Sequence, residues 1–485
     1  MKTKSTTYSL TDFAFDKTPA DNTLHFHSCH GFAIKNGKLT TGLGFAKLKV
    51  PNSTEPRAQE FEIDYTDLPE TETSLRVFSY FKGYTGPTQA STIYDRRLHF
   101  LGSSGTMYEI RPCIDYQKIF SVYSQSLNFS SLPVALNFRQ NGEDMAIFSN
   151  ATDDMVVWKC SDTAPNTLAL DFHLTSLCEN DGILYATTDG DEKTIFYTTT
   201  LDPELINDTN SGTIELTDER GASKKVISFK GYVYVFREYG ISRLTRLSSG
   251  EFTISQLYTS PNRIYSNTVT VCGDKIMFLS RSGICSFNGI NVSKVETCYD
   301  DIIMGVDNTD AIGACVGEHF YIACRLNYAD ITADEQNMQH NSFVDLNVQT
   351  QEISIVRGVD VASMLAVADF SMEKLVVTFN GDKSCEIAEV SYDGKLFGES
   401  LANNYQTNTI HLPQENRISA IEVEASQGTI VEIVTDSTRL HFTCSHDGYN
   451  CFTPYAKAKS FKAIISGAGE DMSVNKLNIT TTEIV

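Results

Sequence analysis

Two stretches of the chain superimpose without a gap at an offset of 43 residues. One runs Phe229-Lys230-Gly231-Tyr232-Val233-Tyr234-Val235-Phe236 and continues to Gly240-Ile241; the other runs Cys272-Gly273-Asp274-Lys275-Ile276-Met277-Phe278-Leu279 and continues to Gly283-Ile284. The same offset carries Leu244 onto Phe287. Looser copies contain Leu98-His99-Phe100-Leu101, Met145-Ala146-Ile147-Phe148, Ile183-Leu184-Tyr185, Phe320-Tyr321-Ile322-Ala323 and Leu375-Val376-Val377. Taking Asp95, Gly142, Asp181, Gly231, Asp274, Glu318 and Glu373 as turn residues, successive units are 39 to 55 residues apart. A period of about 40–50 residues is that of a β-propeller blade. A blade is a small antiparallel sheet whose two faces are buried only against neighbouring blades. Its central strands therefore read as continuous apolar runs and not as alternations. Gly, Asn or Asp between the runs supplies the positive φ of a tight hairpin. The chain is expected to be all-β, with a propeller of about seven blades; a stacked β-sandwich or an irregular β-barrel array gives similar runs but no such overlay.

The flanks read differently. Residues 1–85 do not follow the repeat and contain a hairpin signal at Asn36-Gly37; a strand here is expected to close the ring by completing the last blade. Residues 86–400 hold the propeller. Residues 401–485 alternate polar and apolar, as in Arg417-Ile418-Ser419-Ala420-Ile421-Glu422-Val423-Glu424 and Val474-Asn475-Lys476-Leu477-Asn478-Ile479. Period-two alternation buries one face and wets the other, so a C-terminal β-sandwich module is expected. The polar, acidic stretch from Asn327 to Asn341 reads as an inserted, exposed loop.

Composition restricts function. The net charge is -22, from 39 basic and 61 acidic residues, so gripping nucleic acid through its phosphates is excluded as the main activity. The acidic residues are scattered and form no tail. Twelve cysteines include no C-x-x-C pair. Cys178, Cys272, Cys315 and Cys324 lie in apolar runs and are expected to be buried, reduced thiols, which points to assembly in a reducing cytoplasm. Cys444 and Cys451, seven apart, are a weaker pair for a loop bridge. The residues after Met1-Lys2-Thr3-Lys4 never become an apolar core, so neither an export signal nor a membrane span is expected.

A search for chemistry finds no catalytic constellation: no G-x-S-x-G elbow, no phosphate loop, no H-E-x-x-H and no aspartate box. His25, His27 and His30, with Cys29, are the best metal candidates, but spacing fixes no closed four-ligand set, so no metal is assigned. Asp189, Asp191 and Glu192 lack a complete calcium-loop spacing and read as a solvated turn. Asp153-Asp154 and Asp300-Asp301 read as surface charge, and Trp158 as strand core. No catalytic, cofactor-binding or metal residue is assigned, no cofactor is expected, and the chain reads as a non-enzyme.

A family resemblance adds to this. Asn36-Gly37-Lys38-Leu39-Thr40-Thr41-Gly42-Leu43-Gly44-Phe45 resembles a stretch near the start of tailed-phage virion propeller proteins, although their usual basic residue is missing. The unit Ser228–Gly240 resembles their blade repeat, and Lys459-Ser460-Phe461-Lys462-Ala463-Ile464-Ile465-Ser466-Gly467 their C-terminal β-module. The class is the nozzle or tail-hub proteins of short-tailed phages, also called stabilisation proteins. The resemblance implies a virion tail protein made in the host cytoplasm, below portal and adaptor. It implies a homo-oligomeric ring, usually a hexamer, that helps retain and then pass the genome, with tail proteins as neighbours. DNA would slide past an acidic wall without sticking. The competing expectations are a cytoplasmic propeller scaffold for other proteins, which lacks WD and kelch signatures here, and a propeller hydrolase with a cryptic metal.

Overall fold

A computed structural model describes all residues except 1–3, 14–23, 52–58, 64, 66–67, 86–92, 111–119, 123–126, 163, 190–191, 200–210, 298, 370–371, 468–471 and 485. The chain is all-β with a seven-bladed propeller arrangement. Blades 1 to 6 are consecutive four-stranded antiparallel sheets at 75–122, 134–168, 174–215, 223–259, 264–294 and 312–357. Blade 7 takes three strands from Val361–Asp369, Met372–Phe379 and Ile387–Ser391. Its fourth comes from the other end of the chain: Gly44–Lys47 pairs antiparallel with Ile387–Ser391, Phe45 opposite Val390. The first strands of successive blades pack in a closed circuit, blade 7 returning to blade 1, and so surround the axis. No helix among the described residues is long and apolar enough to cross a membrane.

The two-sided strands of the sequence account for this ring. In blade 4, Val233 and Val235 join Cys178 and Tyr185 of blade 3 in one buried cluster. Between them, Tyr234 and Phe236 join Phe278 and Phe287 of blade 5 in the next. The Phe236 and Phe278 rings lie edge-on at 5.5 Å, and Tyr234 meets Phe287 at 5.2 Å. Seven such clusters separate seven blades. Each fully buried aliphatic or Phe side chain contributes roughly 1.5–3 kcal/mol, so every blade is stabilised chiefly by its two neighbours. Phe45 shows how the closing strand is held: it is fully buried, edge-on to Phe343 at 5.1 Å and to Phe379 at 5.3 Å.

The hairpin between first and second strand recurs with two chemistries. Asn141-Gly142, Asp181-Gly182 and Lys230-Gly231 have positive φ at both positions, the type I′ pattern. At Gly273-Asp274 and Gly317-Glu318 only the glycine has positive φ, and it comes first. Two expected turn residues are corrected. Asp95 and Glu373 lie inside the strands Ile93–Gly102 and Met372–Phe379, and the connections before them fall outside the described residues. Blade 1 also begins earlier than residue 86, with the strand Leu75–Thr85.

The second module is a single curled sheet of eleven strands. The alternating segments after residue 401 supply seven of them, and Ser5–Leu10, Phe26–His30, Phe32–Lys35 and Lys38–Thr41 supply the rest. Ser5–Leu10 pairs with the end of the chain, Ser5 opposite Thr482 and Leu10 opposite Leu477. Ile418, Ile421, Val431, Ile433, Ile465 and Leu477 fill its core, which continues into the core between blades 5 and 6. The seam lies on the outer strand of blade 6. There Gly31 N donates to Ile355 O at 2.7 Å, and Ser354 Oγ donates to Phe32 O at 3.1 Å. A Cβ on Gly31, which has φ +71, would lie 2.4 Å from Ala402 O, so this crossing requires glycine.

The insertion at 327–341 is not a free loop. Ala333–Asn337 forms one helical turn behind a capping box of Thr332 and Glu335. Arg357 donates to Glu335 Oε2 at 2.9 Å and to Asp330 Oδ1 at 2.8 Å. His340 is buried, with hydrogen bonds to Val361 O and Asp310 O. Of the acidic residues in the insertion only Glu335 is buried; Asp330 pairs with Arg357 but stays exposed, as do Asp334 and most of the insertion, in keeping with the expected exposure.

Candidate functional site

The first strand of every blade starts at the same end of the ring, where the connections between second and third strands also gather. Blades 3, 4 and 5 leave a polar cleft of about 430 Å³ there. It is built from Thr188, Asp189 and Glu192 at the corner of blade 3, Ser223 and Lys224 at the start of blade 4, Glu238 at its corner, and Arg263 to Asn267 leading into blade 5.

Its charges are joined from blade to blade. Lys224 Nζ lies 2.7 Å from Glu192 Oε1, and Arg263 Nη2 lies 2.9 Å from Glu238 Oε1. In both cases the corner of one blade supplies the acid and the next blade the base. Glu238 itself follows Arg237, whose fully buried guanidinium pairs with Asp218 and donates through Nε to Gly221 O at 3.0 Å. Such a buried ion pair fixes geometry more than it adds stability. At the far side, Asp189 accepts from His173 N at 2.7 Å and contacts His173 Nδ1 at 2.9 Å. Burial acts to raise the Asp189 carboxyl, but these His173 contacts outweigh it and hold the group below the usual carboxylate range.

The His173–Asp189 pair has the form of a base with its orienting acid. Among the described residues no hydroxyl or thiol is hydrogen-bonded to the imidazole. A second such pair, His319 Nδ1 to Asp345 Oδ1 at 2.7 Å, lies in blade 6. Tyr392 reaches the same carboxylate at 3.4 Å, and no activated nucleophile adjoins it among the described residues. The cleft offers paired ions, hydroxyls and an open mouth, a surface suited to hydrogen-bonding a partner.

The residues singled out in the sequence are scattered. Phe26–His30 carries a bulge, and His25, His27, His30 and Cys29 do not converge. Among the described residues no three His, Cys, Asp or Glu side chains form a metal-holding group. Cys29 is buried, and burial pushes its thiol up to about 12. Burial, with repulsion from Arg357, pushes His30 down to about 4. Burial also lowers His27, with Lys462 adding to it. Asp189 and Glu192 both line the cleft, each already paired, and Asp191 lies outside the described residues. Asp153 accepts from Ser130 N at 2.7 Å and Asn150 Nδ2 at 2.6 Å, a turn-internal role, and Asp154 is exposed. Asp300 is not plain surface charge: it is buried, 2.6 Å from Lys294 Nζ, and accepts from Thr297 Oγ1 at 2.6 Å; Asp301 is exposed. Trp158 is core, with the Arg97 guanidinium 5.0 Å above its ring.

Two thiols expected to be reduced are not. Cys272 and Cys315 form a disulfide, with Cα atoms 5.6 Å apart. They lie 43 residues apart, one repeat, on the innermost strands of blades 5 and 6, so the ring itself brings them together. Cys178 and Cys324 are free and buried, and Cys444 and Cys451 are both free.

No family model matches the chain, and no curated protein matches it. Solved structures similar to it include BBS1N in complex with ARL6DN, at 9% identity and a TM-score of 0.38, covering 61% of this chain and 87% of that one. They also include BamB from Moraxella catarrhalis, at 11% identity and a TM-score of 0.33, covering 65% and 97%. Hsv2 of Kluyveromyces lactis matches at 11% identity and a TM-score of 0.32, covering 54% and 81%.

Proposed function

We propose that the chain is a non-enzymatic structural protein of a phage tail: a nozzle or hub ring, below portal and adaptor, that helps retain and pass the genome. The observation that carries this reading is where the resembling motifs fall. The Ser228–Gly240 unit supplies the first hairpin of blade 4. Asn36 to Phe45 runs from the module into the strand that closes blade 7. Lys459 to Gly467 lies along the module strand Ala456–Ser466. The three motifs thus mark repeat, closure and module, which together make up the whole architecture. The net charge of -22 suits a wall that does not hold DNA. The cleft, whose charges are already paired, supports binding over turnover.

The test is immunogold imaging of purified phage particles with an antibody to this chain. Label at the tail, below the portal vertex, is expected; unlabelled virions would remove the reading. The second reading, a cytoplasmic scaffold for other proteins, is favoured by the open polar cleft at the axis. Affinity purification that recovers host regulators and no virion proteins would favour it over the first.

A further inference from the structure

We infer that the end of blades 4 and 5 opposite the cleft docks an acidic segment of another protein, whose apolar anchor enters a pocket between blades 5 and 6. The inference deepens the binding role proposed above by naming a partner's chemistry.

Charge is segregated along the chain. Residues 220–294, which hold blades 4 and 5, carry eleven Lys and Arg against three Asp and Glu, a net +8, and the remainder carries -30. Residues 123–219 before them have a net -14, and residues 295–358 after them a net -9. Part of the positive charge is used internally: Lys224, Arg237, Arg263 and Lys294 are in ion pairs. Lys230, Arg243 and Lys275 form no ion pair among the described residues. Lys230 lies in the first hairpin of blade 4 and Lys275 directly follows that of blade 5, both at the end away from the cleft. Arg243 extends toward the same end, its guanidinium 4.7 Å over the ring of Tyr232.

A rigid turn divides this end into two recesses. Asn288 Oδ1 accepts from Ile290 N and Asn291 N, each at 2.9 Å. Lys230 Nζ donates to Asn288 O at 3.3 Å, and Tyr234 OH to Gly289 O at 3.2 Å, so blade 4 clamps the turn of blade 5. Ile290 at its tip is 67% exposed, and Tyr232 beside it 40%. On the other side of the turn, between blades 5 and 6, is a pocket of about 220 Å³. Met277 and Leu346, both buried, and Val348 give it an apolar wall; Lys275, Asn288 and Asn291 give it a polar one.

These features select the occupant. An apolar recess beside unpaired cations suits an aliphatic side chain flanked by carboxylates. Tyr and Arg on a pre-organised surface are characteristic of protein contacts. A duplex or a bilayer wide enough to cover the positive sector also covers its acidic flanks, which repel polyanions, whereas a short segment meets the sector alone. A small carboxylate in the pocket would leave Tyr232 and Ile290 uncovered. The most acidic stretch of this chain, 123–219, exposes no large apolar side chain among its described residues, so a second copy brings the charge without the anchor.

The test is fluorescence anisotropy of the full chain with a short fluorescein-labelled peptide of glutamates around one central leucine. The leucine peptide is expected to bind, an all-glutamate peptide to bind about tenfold more weakly for want of the buried side chain, and the leucine peptide with lysines for glutamates not to bind. Lys275→Glu and Arg243→Glu should each weaken the leucine peptide by about tenfold or more. Arg281→Glu, the same charge reversal at the cleft end, should leave it unchanged. Val348→Trp, which fills the pocket without altering charge, should weaken the leucine peptide and spare the all-glutamate one. Melting temperatures equal to the wild type identify folded variants. A leucine peptide that fails to bind, or that binds the folded charge variants as it binds the wild type, overturns the inference. So does equal binding of the two acidic peptides, or displacement of the leucine peptide by a short duplex or by phosphatidylserine vesicles. Sedimentation velocity covers the remaining occupant: a wild-type oligomer that Lys275→Glu dissociates would assign the surface to a second copy and overturn the partner named here. None of these results bears on the tail assignment, which stands or falls on the labelled virions.

Discussion

Glycines with the same backbone conformation are used in two ways. Gly231 has φ +76 and open space where a Cβ would stand, whereas Gly31, at φ +71, is crossed by Ala402 and Asn403. Gly231→Ala should therefore cost only the left-handed backbone preference, about 1 kcal/mol. Gly31→Ala should add overpacking of about 1–3 kcal/mol. Urea midpoints will separate the two, with the larger fall at the seam. His30 adds a pH dependence. Its pKa is about 4 in the folded chain and about 6.5 when unfolded. Above pH 6.5 neither state binds the proton. As the pH falls toward 4 the unfolded chain takes it up first, and the folded state loses up to about 1.4 kcal/mol per pH unit. Asp330 and Glu335 oppose this partly and Arg357 reinforces it. Urea midpoints at pH 7 and pH 5 should fall further for the wild type than for His30→Gln.

At the scale of elements, the Cys272–Cys315 bridge ties the innermost strands of blades 5 and 6 across 43 residues. A loop of that size corresponds to about 4 kcal/mol of lost unfolded-chain entropy. The non-reduced protein should melt higher than the dithiothreitol-treated one, and Cys272→Ser should melt alike in both. Sequence reading missed this bridge because a buried thiol in an apolar run looks the same whether or not the next blade supplies a partner. The repeat was legible for the opposite reason: apolar runs and hairpin glycines are local signals, and they placed the turns of blades 2 to 6. In blades 1 and 7, Asp95 and Glu373 imitated that signal from within strands. The Asn36-Gly37 hairpin was also visible. Its place in a sheet with residues 404–483 was not, because strand pairing over such a separation leaves no local trace. The cleft was hidden likewise, since three blades each contribute a corner; of its lining, only Asp189 and Glu192 stand close enough in sequence to be read as a charged turn.

For the molecule as a whole, seven buried clusters hold the ring, while the surface carries a net charge of -22. Such a surface gains little from counterion release by DNA. The protein should fail to retard a short duplex in a gel at about 0.15 M salt, and lowering the salt should not produce a shift, because binding through phosphate contacts would strengthen as salt falls. A retarded band that strengthens at low salt would mean that a basic face is turned to the genome.

The pairing of Ser5–Leu10 with residues 477–482 has a consequence for biosynthesis. The partner of Ser5 lies 477 positions further along the chain. Blades 1 to 6 can form in order as the chain emerges, but Ser5–Leu10 must wait, with Tyr8 and Leu10 uncovered, until that partner has also left the ribosome. In nascent chains this strand is therefore open to proteases and chaperones for as long as the propeller is being made, and the module is completed only after the ring.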